Sequence, residues 1–205
     1  MIRAIAFDWG GIFTEGTFDG RAIQALAAAG DVPPERVEAA YLPLMAEFEV
    51  GAFDMATFHR RLTEAAGLDL DLATFRETFL GSVQERIAMF SVLGGIPTSY
   101  RVGMLSNNVP ELCDRVRDDP RMRRFESFVF SNEIGVRKPD PDAFAALSDA
   151  LGVAPHETVF VDDSAANVDA CRALGFHGIH FADLDDFVVQ WRAVVPDVPT
   201  GLETT

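Results

Sequence analysis

Five short apolar runs, separated mostly by stretches of helical periodicity, restrict the fold of this chain more than any other feature. The runs are Ile2–Phe7, Arg101–Leu105, Phe128–Phe130, Thr158–Val161 and Gly178–Phe181. Strands that alternate with helices pair in parallel and form a sheet with helices on both faces. We therefore predict an α/β protein with a Rossmann-like, doubly wound parallel sheet. In such a sheet, ligands bind beyond the carboxyl ends of the strands.

Residues 17–82 differ from the rest because they show helical periodicity and no convincing strand. The first apolar run precedes this region and the other four follow it, so we predict a helical insert in the core. The predicted division is a core of residues 1–16 and 83–205 and an insert of residues 17–82, with a mobile tail from about residue 195. The predicted helices are Arg21–Ala29, Pro34–Phe48, Met55–Ala66 and Asp71–Leu80.

Charge and cysteine content narrow the class of partner. The 32 acidic residues outnumber the 17 basic ones, and the net charge is −15, which disfavours nucleic acids and anionic membranes. We expect a small-molecule partner, admitted by a local positive group such as Lys138, the only lysine. Cys113 and Cys171 are not spaced as metal ligands and are interpreted as free thiols. No leader and no membrane-spanning run is predicted, so a cytoplasmic location is expected.

Polar residues follow four of the five apolar runs. The carboxyl ends of parallel strands meet at one edge of a sheet, so these residues are expected to form one site. They comprise carboxylates, a hydroxyl and amide, and an ammonium group. In chain order they are Asp8 with Gly10 and Gly11, then Ser106 with Asn107, then Lys138, and finally Asp162 with Asp163.

This set suits attack on a phosphoryl group. The phosphoryl group is dianionic, so a carboxylate approaches it only when a metal and a fixed cation offset the charge. Asp8, Asp162 and Asp163 supply the oxygen ligands that Mg²⁺ prefers, and Lys138 supplies the cation. The Ser106 hydroxyl would bind phosphoryl oxygens. The sequence therefore predicts that Asp8 attacks phosphorus and forms an aspartyl-phosphate, which water then hydrolyses.

The same segments, in the same order, resemble the four motifs of the haloacid dehalogenase superfamily of hydrolases. Each motif alone is weak, but the ordered set is strong, and the resemblance covers nearly the whole chain. The position of the insert between motifs one and two resembles the branch with a small α-helical cap. The motifs are Phe7-Asp8-Trp9-Gly10-Gly11, Leu105-Ser106-Asn107, Lys138-Pro139-Asp140-Pro141 with Phe144, and Phe160-Val161-Asp162-Asp163-Ser164 with Asn167.

The resemblance implies specific roles and a strand order. It implies that Asp8 is both nucleophile and metal ligand, and that the backbone carbonyl of Gly10 and the carboxylate of Asp163 complete the protein ligands. Asp162 would lie among these ligands or directly behind them. The strand order 5-4-1-2-3 would place Asp8 on the central strand. The implied activity is Mg²⁺-dependent hydrolysis of small phosphorylated metabolites, and the oligomeric state is left open. The residues implied to bind the phosphate are Gly10, Gly11, Ser106, Asn107 and Lys138.

Gly10 departs from the family pattern, because phosphatases of this family usually carry a second Asp there as general acid and base. General acid–base catalysis typically contributes a factor of ~10²–10⁴ in rate. Its loss should slow substrates with alkoxide leaving groups most, and acyl, aryl or anomeric sugar phosphates least. Glu15 and Asp19 are the candidate substitutes.

Two alternatives to phosphatase activity stay open. A non-catalytic protein that binds a phosphorylated ligand is one, because Gly10 lacks the acid side chain. A 2-haloacid dehalogenase-like hydrolase is the other, although dehalogenases lack an acidic pair such as Asp162 and Asp163. Phosphonate-cleaving relatives need a lysine in the cap, and the third motif already contains Lys138, the only lysine.

Overall fold

The core of the structure, a computed structural model that describes residues 1–16 and 18–202, is a five-stranded parallel sheet. The strand order is β3-β2-β1-β4-β5, so the predicted fold class and strand order are confirmed. Phe7, the last residue of β1, pairs with Met104 of β2 and Val161 of β4. Beyond this level, β4 continues for one residue and β2 for two. The strands are β1 (Ala4–Phe7), β2 (Arg101–Ser106), β3 (Ser127–Phe130), β4 (Thr158–Asp162) and β5 (His177–His180).

Helices cover both faces of the sheet. Side chains alternate along β1: Ile5 and Phe7 face one hydrophobic cluster, while Ala4 and Ala6 face the other. Helices α5, α6 and α10 contribute to the first cluster, and α8 and α9 to the second. The helices are α5 (Ile87–Gly95), α6 (Pro110–Asp118), α7 (Ser131–Ile134), α8 (Pro141–Leu151), α9 (Ala165–Ala173) and α10 (Leu184–Val194), with 3-10 turns at Pro120–Arg124 and Pro155–Glu157.

In the described part of the chain, four helices lie between β1 and α5, in the region where the sequence predicts a helical insert. Its helices pack around buried aromatic rings, with Phe58 in contact with Phe75 and Phe79. The Asp54 and Asp71 carboxylates cap α3 and α4 by accepting hydrogen bonds from Thr57 and Thr74 backbone N–H groups. The helices are α1 (Phe18–Ala29), α2 (Pro34–Phe48), α3 (Met55–Ala66) and α4 (Leu72–Gly81), close to the four predicted stretches. Thr17, the first residue of the predicted insert, lies outside the described residues.

The two chain segments that connect the insert to the core run side by side. The Glu15 N–H donates to the Gln84 carbonyl at 2.7 Å, and the Arg86 N–H donates to the Phe13 carbonyl at 2.8 Å. Thr14 and Glu85 form an isolated antiparallel bridge between these segments. The insert is thus tied to the core at a paired crossing close to the end of β1.

Residues 195–202 differ from the predicted mobile tail. Val195, Val198 and Thr200 are buried, and the Val198 carbonyl accepts a 2.8 Å hydrogen bond from the indole N–H of Trp191. A buried indole N–H requires an acceptor, and this segment provides it. The segment therefore packs against the core, and the last three residues of the predicted tail lie outside the described part of the chain.

Within the described ranges, none of the helices combines the length and the apolar character needed to cross a bilayer.

Candidate active site

Three carboxylates meet where the central strands end. Asp8 directly follows β1, Asp162 is the last residue of β4, and Asp163 comes next. One oxygen of each carboxylate lies within 4.8 Å of the other two. A cavity of about 720 Å³, lined by Asp8 and Asp163, opens at this edge. The level register of β1 and β4 brings the carboxylates together as predicted.

The ammonium group of Lys138 lies among these carboxylates. Its Nζ is 2.6 Å from Asp162 Oδ2 and 3.0 Å from Asp8 Oδ1. Burial of Lys138, which is only 2% exposed, would lower its pKa, but the charges of Asp162 and Asp8 outweigh burial and raise it. Lys138 is therefore held as a cation directly beside the predicted nucleophile.

The pKa of Asp8 reflects its burial first and the neighbouring charges second. Burial raises the pKa of Asp8 to about 7, Lys138 opposes this rise, and the charges of Asp162 and Asp163 add to it. Burial, and then the charge of Asp162, also raises the pKa of Asp163. Three carboxylates facing one ammonium group suit an additional divalent cation, because such a cation would relieve the repulsion.

Asp162 and Asp163 have different surroundings. Asp162 is fully buried and accepts hydrogen bonds from Lys138, from the Asn167 side chain at 3.1 Å and from the Ser164 N–H at 2.8 Å. Asp163 instead lines the cavity, with its carboxylate next to Gly11. The oxygens of Asp162 are thus used within the protein, whereas Asp163 faces the space that a ligand would occupy.

Ser106 and Asn107 lie at the end of β2, and of these two residues only Asn107 lines the cavity. Ser106 is 1% exposed and its hydroxyl lies 3.5 Å from the Asn107 carbonyl. The Asn107 side chain accepts from the Lys138 N–H at 2.8 Å and donates to the Lys138 carbonyl at 3.0 Å. Asn107 lines the cavity, but both ends of its amide hold the backbone of Lys138 in place.

Gly10 and Gly11 have different backbone requirements. Gly11 has φ +68°, and a Cβ there would lie 2.0 Å from Asp163 Oδ2, so this position requires glycine. The φ of Gly10 is outside the left-handed region, and the nearest atom to a Cβ there would be Asp8 Oδ2 at 4.0 Å. The backbone and the surrounding space therefore accept a side chain at position 10.

The two candidate substitutes for the missing acid occupy different places. The Glu15 carboxylate pairs with Arg86 at 3.1 Å and does not line the described cavity. Asp19 lines the cavity and accepts a 2.9 Å hydrogen bond from the Tyr41 hydroxyl. Burial raises the pKa of Asp19, while the bond from Tyr41 opposes the rise. The structure therefore brings Asp19, and not Glu15, to the cavity.

Three further polar residues line the cavity and were not singled out from the sequence: Asn108, Arg137 and Glu49. Asn108 Nδ2 is buried and lacks a hydrogen-bond partner among the described residues. Burial raises the pKa of Glu49 to about 7, and Arg137 opposes that rise. Asn108 follows Asn107 and Arg137 precedes Lys138, so their positions next to predicted site residues could have identified them from the sequence. Glu49 lies in the insert, where nothing in the sequence distinguishes it from the other acidic residues.

Comparison with known proteins identifies the family. A model of the haloacid dehalogenase-like hydrolases matches residues 2–175. The chain belongs to this family. The predicted resemblance is thus confirmed, as is the prediction that the chain is an enzyme of the hydrolase class.

Similar proteins span most of this haloacid dehalogenase-like hydrolase. D-ribitol-5-phosphate phosphatase of Bacteroides thetaiotaomicron is 27% identical over 186 residues, which are 86% of this chain and 90% of the relative. A HAD-like family hydrolase of Porphyromonas gingivalis superimposes with a TM-score of 0.73 at 28% identity, covering 88% of this chain and 91% of its own. A HAD family enzyme of B. thetaiotaomicron, solved with magnesium and inorganic phosphate, has the same fold. It superimposes with a TM-score of 0.74 at 22% identity, covering 88% of this chain and 94% of its own.

Proposed function

We propose that this haloacid dehalogenase-like hydrolase is a Mg²⁺-dependent phosphatase of small phosphorylated metabolites, acting through an aspartyl-phosphate on Asp8. The observation that carries the proposal is the meeting of Asp8, Asp162 and Asp163 beside the Lys138 ammonium, with Asp8 and Asp163 lining one cavity. The similarity to D-ribitol-5-phosphate phosphatase supports a small phosphorylated substrate. In this proposal, residues 17–82 form the cap over a core of residues 1–16 and 83–205.

The carboxylate cluster fits a hard divalent cation. Asp8, Asp163 and the backbone carbonyl of Gly10 are the proposed protein ligands. Asp162 would act behind them, because Lys138, Asn167 and Ser164 already use its oxygens. When bound, Mg²⁺ would neutralise charge on the phosphoryl oxygens.

The protein residues perform the remaining steps. The Asp8 carboxylate attacks phosphorus, the bond from phosphorus to the leaving oxygen breaks, and that oxygen departs with the electron pair and takes a proton from water. Lys138 offsets charge on the transferring group and keeps Asp8 oriented. Asn108 Nδ2, a buried donor without a partner among the described residues, belongs to a residue of the cavity wall and would bind a phosphoryl oxygen. Water then cleaves the acyl phosphate and regenerates Asp8.

Labelling of Asp8 distinguishes this enzyme from a protein that only binds phosphorylated ligands. Acetyl phosphate and Mg²⁺ should give a phosphorylated protein detectable by mass spectrometry, with the added mass on the peptide that contains Asp8. EDTA and Asp8→Asn should each abolish both the label and p-nitrophenyl phosphate hydrolysis. A folded Asp8→Asn protein that keeps substantial phosphatase activity would exclude the covalent mechanism. Turnover of 2-haloacids that survives EDTA would instead indicate dehalogenation.

A further inference from the structure

The insert supplies an acidic part of the wall of the catalytic cavity. Asp19 at the start of α1 and Glu49 after α2 line the cavity together with the apolar residues Phe18 and Met45. Arg137 provides a positive charge beside them, with its Nη2 2.9 Å from Glu49 Oε2. This part of the cavity would contact the portion of a substrate that is not the phosphate.

Glu49 is held in place by contacts between the insert and the core. The Ser131 hydroxyl donates to the Glu49 carbonyl and accepts from the Asn108 N–H at 3.0 Å. Two residues further on, Gly51 lies so close to the core that a Cβ there would be 2.7 Å from the Asn132 carbonyl oxygen. The carboxylate of Glu49 therefore belongs to a fixed wall and not to a mobile surface.

The described residues use only part of the hydrogen-bonding capacity of the Glu49 carboxylate. Glu49 is 8% exposed, and its Oε2 forms an ion pair with Arg137 at 2.9 Å but accepts no hydrogen bond of good geometry in the described part of the chain. Arg137 Nε likewise lacks a partner there. A carboxylate oxygen can accept two hydrogen bonds, so a donor from a bound ligand would complete what the ion pair with Arg137 leaves unsatisfied. Sugar hydroxyl groups are donors of this kind.

The charges around Glu49 disfavour a second anionic group on the ligand. Burial raises the pKa of Glu49, Arg137 and Lys138 oppose the rise, and the charges of Asp19 and Asp8 add to it. Tyr41, which donates its hydroxyl hydrogen to Asp19, is also within reach of the charge of Glu49. The wall thus already carries unfavourable negative charge, and an additional carboxylate or phosphate would increase it.

The glycine at position 10 restricts the leaving group. No side chain there can protonate the departing oxygen, and Glu15 is bound to Arg86 away from the cavity lining. The Asp19 carboxylate does line the cavity, but it acts there as an acceptor for the Tyr41 hydroxyl. A leaving oxygen that tolerates negative charge is therefore favoured. The anomeric oxygen of a sugar is more acidic than its other hydroxyl groups, because the ring oxygen withdraws electrons.

Together, these features lead us to propose that the substrates are uncharged sugars phosphorylated at the anomeric carbon, bound with their hydroxyl groups against Asp19 and Glu49. The inference rests on the proposed phosphatase function. Asp8 bonds to phosphorus, the bond between phosphorus and the anomeric oxygen breaks, and that oxygen takes a proton from water. Hydrolysis of the acyl phosphate then gives free sugar, inorganic phosphate and the original carboxylate.

Matched substrates test each half of this inference. The full chain with Mg²⁺ would be assayed on the 1-phosphates of glucose and galactose, on their 6-phosphates, and on the 1-phosphates of glucuronic and galacturonic acid. We expect kcat/KM for a 1-phosphate to exceed that for its 6-phosphate by ~10² or more, because the acid at position 10 is missing. We expect the neutral sugar to exceed its uronic acid by about tenfold, since like charges lie close together.

A pair of glutamate variants locates the charge discrimination. Glu49→Gln keeps the shape and an acceptor oxygen, and should reduce the ratio of neutral sugar to uronic acid about tenfold towards unity. Glu47→Gln is the matched control, because Glu47 is exposed and pairs with Arg61 at 3.4 Å outside the cavity lining. It should leave the ratio unchanged. Equal effects of the two substitutions would overturn the role of Glu49.

Hydrolysis of p-nitrophenyl phosphate separates failure of this inference from failure of the proposed function. If the protein hydrolyses p-nitrophenyl phosphate but none of the sugar 1-phosphates, the substrate class is wrong and the phosphatase proposal stands. Equal rates on 1- and 6-phosphates, or on neutral and uronic sugars, would also overturn the inference. If no phosphate ester is hydrolysed, the proposed function itself fails.

Discussion

Restoring the acid side chain at Gly10 is the most informative perturbation of this site. An Asp there would place a carboxyl group beside Asp8, from where it could protonate the leaving oxygen. The structure indicates that the substitution is tolerated, because Gly10 has no left-handed φ and a Cβ would meet nothing closer than Asp8 Oδ2 at 4.0 Å. The neighbouring glycine provides a contrast. At Gly11, a Cβ would overlap the Asp163 carboxylate at 2.0 Å and require a left-handed backbone.

The magnitude of the effect follows from what each position requires. At Gly10 the conformational cost of a side chain is small, and the regained acid catalysis is worth a factor of ~10²–10⁴, or about 3–5 kcal/mol, on alkyl phosphates. At Gly11 the left-handed φ alone costs about 1–2 kcal/mol. The overlap there would also displace Asp163, a proposed metal ligand, so Gly11→Asp should weaken Mg²⁺ binding and reduce turnover of every substrate.

The assay is a series of aryl and alkyl phosphates with leaving groups of increasing pKa. In the wild-type protein, kcat/KM should fall steeply as the leaving-group pKa rises, and Gly10→Asp should flatten that dependence by accelerating the alkyl phosphates selectively. Gly10→Asn is the matched control, since it has the same shape and no transferable proton. A folded Gly10→Asp variant that binds Mg²⁺ by calorimetry and keeps the wild-type slope would refute the reasoning. Another group would then already serve as the acid.

Three further substitutions test the surrounding charges. Asp163→Ala should weaken Mg²⁺ binding, measured by calorimetry, more than Asp162→Ala, because Asp163 faces the cavity; the reverse order would show that the proposed ligand roles are exchanged. Lys138→Met leaves two carboxylates without their cation, so the free energy of unfolding should fall by about 3–5 kcal/mol. Turnover should fall far more than in Arg61→Met, and equal losses of turnover in the two variants would place Lys138 outside the reaction. Glu49→Gln should raise stability without Mg²⁺ much more at pH 8 than at pH 5. Burial raises the pKa of Glu49 from 4.5 to about 7, so the stability that its protonated form provides is complete below pH 4.5 and is lost as the pH rises from there through 7. The gain at pH 8 should reach up to about 3 kcal/mol in thermal unfolding, and a gain equal at both pH values would contradict the assignment.

The sequence alone was enough to predict the sheet, the four insert helices and the carboxylate cluster. These features depend on local patterns: apolar runs specify β1 and β4, and helical periodicity specifies the helices of the insert. Once the strands are parallel, topology places Asp8 and Asp162 at one edge. No contact between distant residues had to be known in advance.

The tertiary structure determined which polar groups remain available to a ligand and which form hydrogen bonds or ion pairs within the protein. Sequence cannot show that the Asn107 amide holds the backbone of Lys138, or that Gly11 rather than Gly10 needs a left-handed backbone. Nor does it show that Glu49 meets Arg137 at the cavity wall. Each outcome depends on contacts between segments far apart in the chain or on the packing of the insert against the core. Burial and charge at such contacts are properties of the assembled fold, because they arise only when distant segments exclude water from one another.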